Sequence, residues 1–322
     1  MKAAVLYQPG GPENFIMEER TRPVPASGQL LIKVKAFGLN RSELMTRKGL
    51  SPGVNFPRVL GIECVGEVEF DPLGELTKGQ QVAALMGEMG RKYDGSYAAY
   101  AVLPRSIVFP FKSKLPWEQL GAIPEMFQTT YGSLHRALHI KTGETILIRG
   151  GTSSIGMLAT QLAKNAGLTV IATTRNAVKE NILLQNGVDK VLIDDGALAS
   201  KIKSTFKDGI DKVLELIGTT TLKDSLRCVK PGGTVCMTGM LSEQWVVPEF
   251  IPMDFIPATV NLTVYDSGQI QPEATHFQEF IHEVEAGKIR LNVSRVFPLD
   301  QIKEAHQLMD SNSASGKIVV VP

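Results

Sequence analysis

Cysteine is scarce in this chain of 322 residues, with only Cys64, Cys228 and Cys236 present. They lie far apart with no C-x-x-C pair, which argues against both a disulfide framework and a cysteine zinc site and leaves them as small core residues. An excess of charge is missing too. Lys and Arg number 34 against 33 Asp and Glu, a formal net charge of +1 with no basic tract, so neither nucleic acid nor an anionic membrane is electrostatically favoured. No apolar run is long enough to span a bilayer, and the opening MKAAVLYQPGG meets proline and glycine too soon for a signal peptide. These absences lead us to expect a cytoplasmic protein with a small-molecule partner and neither nucleic acid nor membrane.

What is present is an ordinary globular composition, 43% hydrophobic and 21% charged, on a chain long enough for two domains. Its organising stretch is TILIRGGTSSIGMLATQLAKNAGLTVIATTR, Thr145 to Arg175. A short β-branched run is broken by Gly150 and Gly151, apolar residues then recur at helical spacing, and a second apolar run follows, which reads as one βαβ unit. The turn matches G-x-G-x-x-G at Gly151 and Gly156 but carries Ser153 in the middle. A helix start in that context offers amides and the positive end of its dipole to a pyrophosphate, so Gly151, Thr152, Ser153, Ser154, Ile155 and Gly156 are candidate cofactor-binding residues. At the end of the second strand, where an NAD site places an acid for the ribose 2′-hydroxyl, stand Thr174, Arg175 and Asn176. Arg175, with Thr174 and Lys179, offers donors and positive charge to a 2′-phosphate and favours NADP(H).

Residues 1 to 121 carry short β runs separated by Pro-Gly turns and read as an irregular, mostly-β domain. Leu115 to Gln119 and Phe127 to Leu138 read as helical. Strand candidates then recur at Ile146, Val170, Val191, Val213 and Val235, roughly every 20 residues, which predicts a doubly wound parallel sheet of the α/β class. Pro231-Gly232-Gly233 reads as a turn before the fifth strand. Thr259 to Tyr265 alternates apolar and polar residues as an edge strand does. Helices over Phe277 to Ala286 and Gln301 to Met309 precede a last strand, Lys317 to Val321, that is expected to rejoin the first domain. His135 and His139 stand four apart on a predicted helix, but no third ligand accompanies them.

Six patterns in order, Gly38-Leu-Asn-Arg-Ser-Glu43, Gly61-Ile-Glu63, Asp94-Gly-Ser-Tyr-Ala98, Gly150-Gly-Thr-Ser-Ser-Ile-Gly156, Pro231-Gly-Gly233 and Gly316-Lys-Ile-Val319, resemble the zinc-independent quinone oxidoreductase branch of the medium-chain dehydrogenase/reductases. The resemblance covers essentially the whole chain. It implies a GroES-like substrate domain from residues 1–121 and 268–322 and an NADP(H)-binding Rossmann domain over 122–267. In zinc alcohol dehydrogenases of the same superfamily the first two patterns supply a cysteine and a histidine; here Asn40 and Ile62 stand there, and Met86 to Tyr100 lacks the four-cysteine cluster, so no metal is expected.

By the family's pattern Asn40 would face nicotinamide and substrate, Thr129 would hold the carboxamide, Gly239 and Met240 would reach the nicotinamide through backbone groups, and Gly316 and Lys317 would close the cleft. Asn40 would stabilise enolate or quinol charge as NADPH reduces a quinone or an α,β-unsaturated carbonyl, and Tyr93 reads either as a second donor through its hydroxyl or as a packing aromatic. Arg41 and Glu43 read either as a surface ion pair or as charges that alter substrate choice. Two other functions fit the same residues: an enoyl-thioester reductase, and a non-catalytic protein that binds NADPH only as a stabilising ligand. A homodimer paired through the Thr259 to Tyr265 edge is expected.

Overall fold

The structure is a computed structural model that describes residues 1–269 and 274–322. The chain divides into two compact units, Met1–Phe127 with Ser267–Pro322, and Gln128–Asp266.

In Gln128–Asp266 six parallel strands form one sheet, in the spatial order Lys190–Ile193, Thr169–Thr174, Thr145–Arg149, Ile210–Glu215, Val229–Met237, Asn261–Val264. Taken along the chain they lie third, second, first, fourth, fifth and sixth, so strand order reverses beside Thr145–Arg149, where α/β sheets bind their ligands. Helices Ser154–Asn165, Glu180–Gln185, Leu198–Thr205 and Thr219–Leu226 make the crossovers. The apolar segments of the central strands are covered by the helices: Leu147, Val213 and Val235 are fully buried with Leu198, Ile202, Leu222 and Leu226. Asn261–Val264 occupies the edge, and Val264 is 60% exposed, as its alternating sequence implies.

The two innermost strands end in opposite charges. Arg149 and Glu215 are register partners, both wholly buried. Arg149 donates to both oxygens of Asp194 at 2.8 and 2.9 Å, to Asp224 at 2.9 Å, to Ser225 Oγ at 3.0 Å and to the Thr221 carbonyl at 3.1 Å. Glu215 accepts from the Ile217 and Gly218 amides and from Ser225 Oγ. A buried charge is tolerable only when so satisfied, and this network pins the loop after Lys190–Ile193 and the helix Thr219–Leu226 to the end of the sheet.

Two expectations are corrected here. Pro231-Gly232-Gly233 does not precede the fifth strand but sits within Val229–Met237, as an irregularity between the pairs Ile210↔Val229 and Lys212↔Thr234. Four residues there oppose Asp211 alone, and Gly232, at φ 80°, takes the conformation the excursion requires. The predicted helix from Phe127 to Leu138 is instead an α-helix, Pro124–Tyr131, that passes into a π-helical turn over Gly132–Ala137. A Cβ on Gly132 would lie 1.9 Å from Cζ of Tyr265, so the bare glycine lets that ring pack against the backbone. His139 lies beyond this turn at φ 48°, so it does not share one helix with His135.

In the other unit a mixed sheet runs Val293–Pro298, Lys317–Val321, Gln29–Gly38, Glu63–Phe70, Gln81–Leu85, Val108–Pro110, with Tyr100–Pro104 also on Gln29–Gly38. A second sheet joins Phe15–Glu19, Lys2–Leu6 and Arg58–Val59. Their shared core includes Val5, Phe15, Ile32, Phe37, Leu44, Tyr97 and Phe297. Tyr97 stacks on Phe37 at 4.8 Å and its hydroxyl is 3.0 Å from Nε2 of His306, whose pKa burial pushes down to about 3, so the imidazole is a neutral core group. The last strand pairs antiparallel with Gln29–Gly38 through Val319↔Gly38, and the Leu39 amide donates to the Ile318 carbonyl at 2.9 Å. That register sets Lys317 beside Gly38 and Asn40.

Candidate active site

In the unit formed by Met1–Phe127 and Ser267–Pro322, the strand Gln29–Gly38 ends and Asn40, in extended backbone, caps the helix Arg41–Arg47. Glu43, third in that helix, turns back so that its carboxyl accepts the Asn40 amide at 3.1 Å and the Ile62 amide at 3.2 Å. Glu43 is therefore buried, not half of the surface ion pair with Arg41 that the sequence suggests; the Arg41 guanidinium bonds Asn312 Oδ1 instead. The Asn40 side chain is held from both ends. Its Nδ2 donates to Glu63 Oε1 at 2.9 Å and its Oδ1 accepts from Lys317 Nζ at 2.5 Å, while Lys317 Nζ lies 2.7 Å from the same Glu63 oxygen. The other Glu63 oxygen takes the Glu125 amide at 2.8 Å.

Burial, reinforced by the nearby Glu63, pushes the Glu43 carboxyl up to about 8. Burial opposes the charge on Lys317, but Glu63 and Glu125 outweigh it and hold its pKa above the ordinary lysine value. Tyr93 packs at the margin of the core, donates its hydroxyl to the Gly87 carbonyl at 2.6 Å, and is pushed up to about 12 by burial. Gly316, at φ 106°, is shaped by packing: a Cβ there would stand 2.1 Å from the Asn292 carbonyl oxygen, which accepts the Lys317 amide.

In Gln128–Asp266 the candidate cofactor residues gather at the C-terminal ends of the parallel strands. Gly150, at φ 93°, opens the turn, and its amide and that of Gly151 bond the Thr173 hydroxyl and carbonyl, both at 3.0 Å. A Cβ on Gly151 would lie 2.9 Å from Ala172 Cβ, and one on Gly156 would lie 2.5 Å from the Gly150 carbonyl oxygen. Ser153, where the motif has its middle glycine, caps the helix: Oγ accepts the Gly156 amide at 3.1 Å and donates to the Gly150 carbonyl at 2.8 Å. The glycines let helix and strand pack closely, and the amides of Ser154 and Ile155 at the helix start find no acceptor among the described residues.

At the end of the second strand Thr174 is buried and its hydroxyl accepts the Asn176 amide, whereas Arg175 is exposed and forms no ion pair among the described residues. Lys179 ends the short turn Ala177–Lys179. Asp194 follows the neighbouring strand Lys190–Ile193 and its amide bonds the Thr174 carbonyl, but both its oxygens accept from Arg149 and one also from the Gly196 amide. Gly239 packs so tightly that a Cβ would meet the Leu216 carbonyl oxygen at 2.4 Å, and Met240 lies beside Gly218. Thr129 is buried, its carbonyl accepting Ser133 Oγ, which in turn reaches Thr238 Oγ1 at 2.8 Å. Sequence reasoning passed over Glu63, Arg149 and Glu215 as functional or organising groups. The available signal was a charge at the end of an otherwise apolar strand, as in TILIR and KVLE.

Two family models match this chain, the alcohol dehydrogenase GroES-like domain over residues 26–113 and zinc-binding dehydrogenase over residues 186–320. The quinone oxidoreductases of Homo sapiens and Pongo abelii are each 28% identical, covering 100% of this chain and 98% of the relative. Among solved structures, a mycobacterial protein, Rv1454c, complexed with NADPH is 26% identical with a TM-score of 0.88, each chain covered in full. The Escherichia coli quinone oxidoreductase complexed with NADPH shares the fold at a TM-score of 0.86, with 23% identity over 100% of this chain and 98% of that one. The zinc implied by one family description does not fit the residues here. Asn40 offers an amide already bonded at both ends, Ile62 offers no donor, and Glu63 is paired with Lys317, while no group of three or more metal-binding side chains occurs among the described residues.

The raised pKa of Glu43 has a consequence for stability. Between the ordinary value of 4.5 and about 8 the folded chain keeps a proton that the unfolded chain releases, so this contribution is full below that range and is lost as pH rises through it. Wild-type melting temperature should decline from about pH 5 to 8 on this account. Glu43→Gln, with one acceptor for two amides, should melt lower at the acid end but show a flatter profile. Calorimetry of both proteins across the range checks this; an equal slope in the variant would assign the decline to another group.

Proposed function

Because the chain belongs to the quinone oxidoreductase branch of the medium-chain dehydrogenase/reductase superfamily, we propose that it uses NADPH to reduce a quinone or an α,β-unsaturated carbonyl, without a metal ion. The observation that carries this reading is the Gly150–Gly156 turn, whose Ser154 and Ile155 amides are unclaimed, beside the exposed Arg175. The amides suit a pyrophosphate and the guanidinium suits a 2′-phosphate. Asp194, bonded to this strand's end, does not compete for the latter place, since its carboxylate serves Arg149. Backbone of Gly239 and Met240, together with Thr129, completes the cofactor contacts in this proposal.

NADPH, when bound, supplies the hydride from C4 of its nicotinamide. The acceptor is already electrophilic, so the chain needs no base to form an alkoxide and no Lewis acid to assist one. Asn40 directs an amide N–H at the acceptor's oxygen and stabilises the negative charge that gathers there. Tyr93 contributes less, because its hydroxyl proton is committed to Gly87.

The test is NADPH consumption by the purified protein against quinones, enones and enoyl thioesters, beside thermal melting with and without NADPH. Turnover of a quinone or enone is expected. Arg175→Ala should weaken NADPH by about 1.5 to 3 kcal/mol, the worth of a charged hydrogen bond, and leave NADH almost unaffected. Asn40→Ala should lower kcat roughly 100- to 1,000-fold with NADPH affinity nearly intact. A protein that melts higher with NADPH yet reduces no acceptor would replace the reductase reading with that of an NADPH-binding protein.

We propose a homodimer on the edge strand Asn261–Val264. Tyr265 donates its amide inward to the Met237 carbonyl, so the Val264 N–H points to the open edge. Trp245, Val246, Ile251 and Met253, in the segment leading to this strand, are all more than half exposed. Light scattering at micromolar concentration should give a dimer that Val264→Pro dissociates, because proline removes the outward donor and spares the inner ladder. A monomeric wild type, or a dimer indifferent to the substitution, rejects this interface.

A further inference from the structure

Glu63, Lys317 and Asn40 close a triangle of contacts at 2.5, 2.7 and 2.9 Å. An ammonium only donates and a carboxylate only accepts, so the triangle admits one orientation of the amide between them. Rotating the amide by half a turn would set Oδ1 against the carboxylate and Nδ2 against the ammonium, and both contacts would repel. Lys317 and Glu63 are 2% and 0% exposed at their side chains, whereas Asn40 is only half-buried. The second proton on Nδ2 makes only long hydrogen bonds, 3.4 Å to Glu43 and 3.5 Å to the Gly38 carbonyl, which an incoming acceptor at ordinary distance would displace. Gly38 makes the arrangement possible, since a Cβ there would stand 2.2 Å from Lys317 Cε.

Resting on the reading of Asn40 as the donor to the substrate's oxygen, we propose that Lys317 is a positioning residue whose ammonium locks the Asn40 amide with Nδ2 facing the reacting group. Lys317 acts on the reaction through Asn40. An ammonium this enclosed, already bonded to two partners, is poorly placed to grip a cofactor phosphate itself.

Lys317→Met alone would strand the Glu63 carboxylate in the core and endanger folding. The informative protein is therefore the charge-neutral double variant Lys317→Met with Glu63→Gln, because exchanging a whole buried pair is far better tolerated than halving it. Three measurements separate the alternatives: NADPH affinity by fluorescence titration, kcat with a quinone, and hydrogen exchange of the Asn40 side-chain amide in the cofactor-free, 15N-labelled protein, assigned through Asn40→Ala. The double variant should bind NADPH within about twofold of wild type, lose roughly tenfold or more in kcat, and exchange its Asn40 amide protons faster. Lys317→Arg, which keeps the charge, should restore part of both kcat and protection. Unchanged protection in the double variant overturns the lock, as does weakened NADPH binding at unchanged kcat, which would make Lys317 a cofactor contact. A wild type that reduces no acceptor would end the reductase reading alone, and the amide exchange would still decide whether Lys317 holds Asn40.

Discussion

The antiparallel pairing of Lys317–Val321 with Gln29–Gly38 is the constraint on which the Asn40 site depends. It joins residues nearly 280 positions apart and delivers a lysine to a buried carboxylate that would otherwise be intolerable there. Neither Glu63 nor Lys317 is tenable alone at that depth. Together they convert a charge problem into an orientation device, because the Asn40 amide bonded to both must lie with its oxygen toward the ammonium and its nitrogen toward the carboxylate. Glu43 joins the same enclosure by a different route: it satisfies the Asn40 and Ile62 amides, and burial beside Glu63 keeps its proton on.

A parallel logic governs the ends of the six-stranded sheet. Arg149 and Glu215 terminate adjacent strands, and each buried charge is satisfied there, the arginine by Asp194, Asp224 and Ser225 and the glutamate by Ser225 and the Ile217–Gly218 amides. The Gly150–Gly156 turn begins at the residue after Arg149. At its base Thr173 holds both opening glycines, while the Ser154 and Ile155 amides find no acceptor among the described residues.

Much of this was legible in the sequence, and the reasons differ by element. Strands such as Thr145–Arg149 and Thr169–Thr174 announce themselves because burial on both faces favours runs of β-branched and apolar residues. The edge strand shows itself by alternation, and the glycine turn by its spacing between strand and helix. Short elements escaped: Phe15–Glu19, Val108–Pro110 and Val293–Pro298 have weak periodicity and owe their form to partners distant in sequence. The excursion at Pro231–Gly233 carries every sign of a turn, and only the pairing on either side of it shows that the strand continues. Asn40 could be singled out from a family pattern, but its partners could not. Glu63 and Lys317 are 254 residues apart in chain, and nothing local says that two charged side chains will share one oxygen-to-nitrogen contact in the dark of a core.

Asp194 gives the cofactor question an architectural side. Its backbone amide is bonded to the Thr174 carbonyl, at the place where a dinucleotide's ribose is ordinarily discriminated, yet its carboxylate is spent on holding the first strand's arginine. Redesigning the protein toward NADH by recruiting this acid would release Arg149 from its strongest partner and loosen the end of the sheet. An acid installed afresh at Arg175 would leave that network whole. The integrity of the scaffold thus claims the Asp194 carboxylate outright, and a change of charge beside the second strand is compatible with the sheet only where it leaves that acid alone.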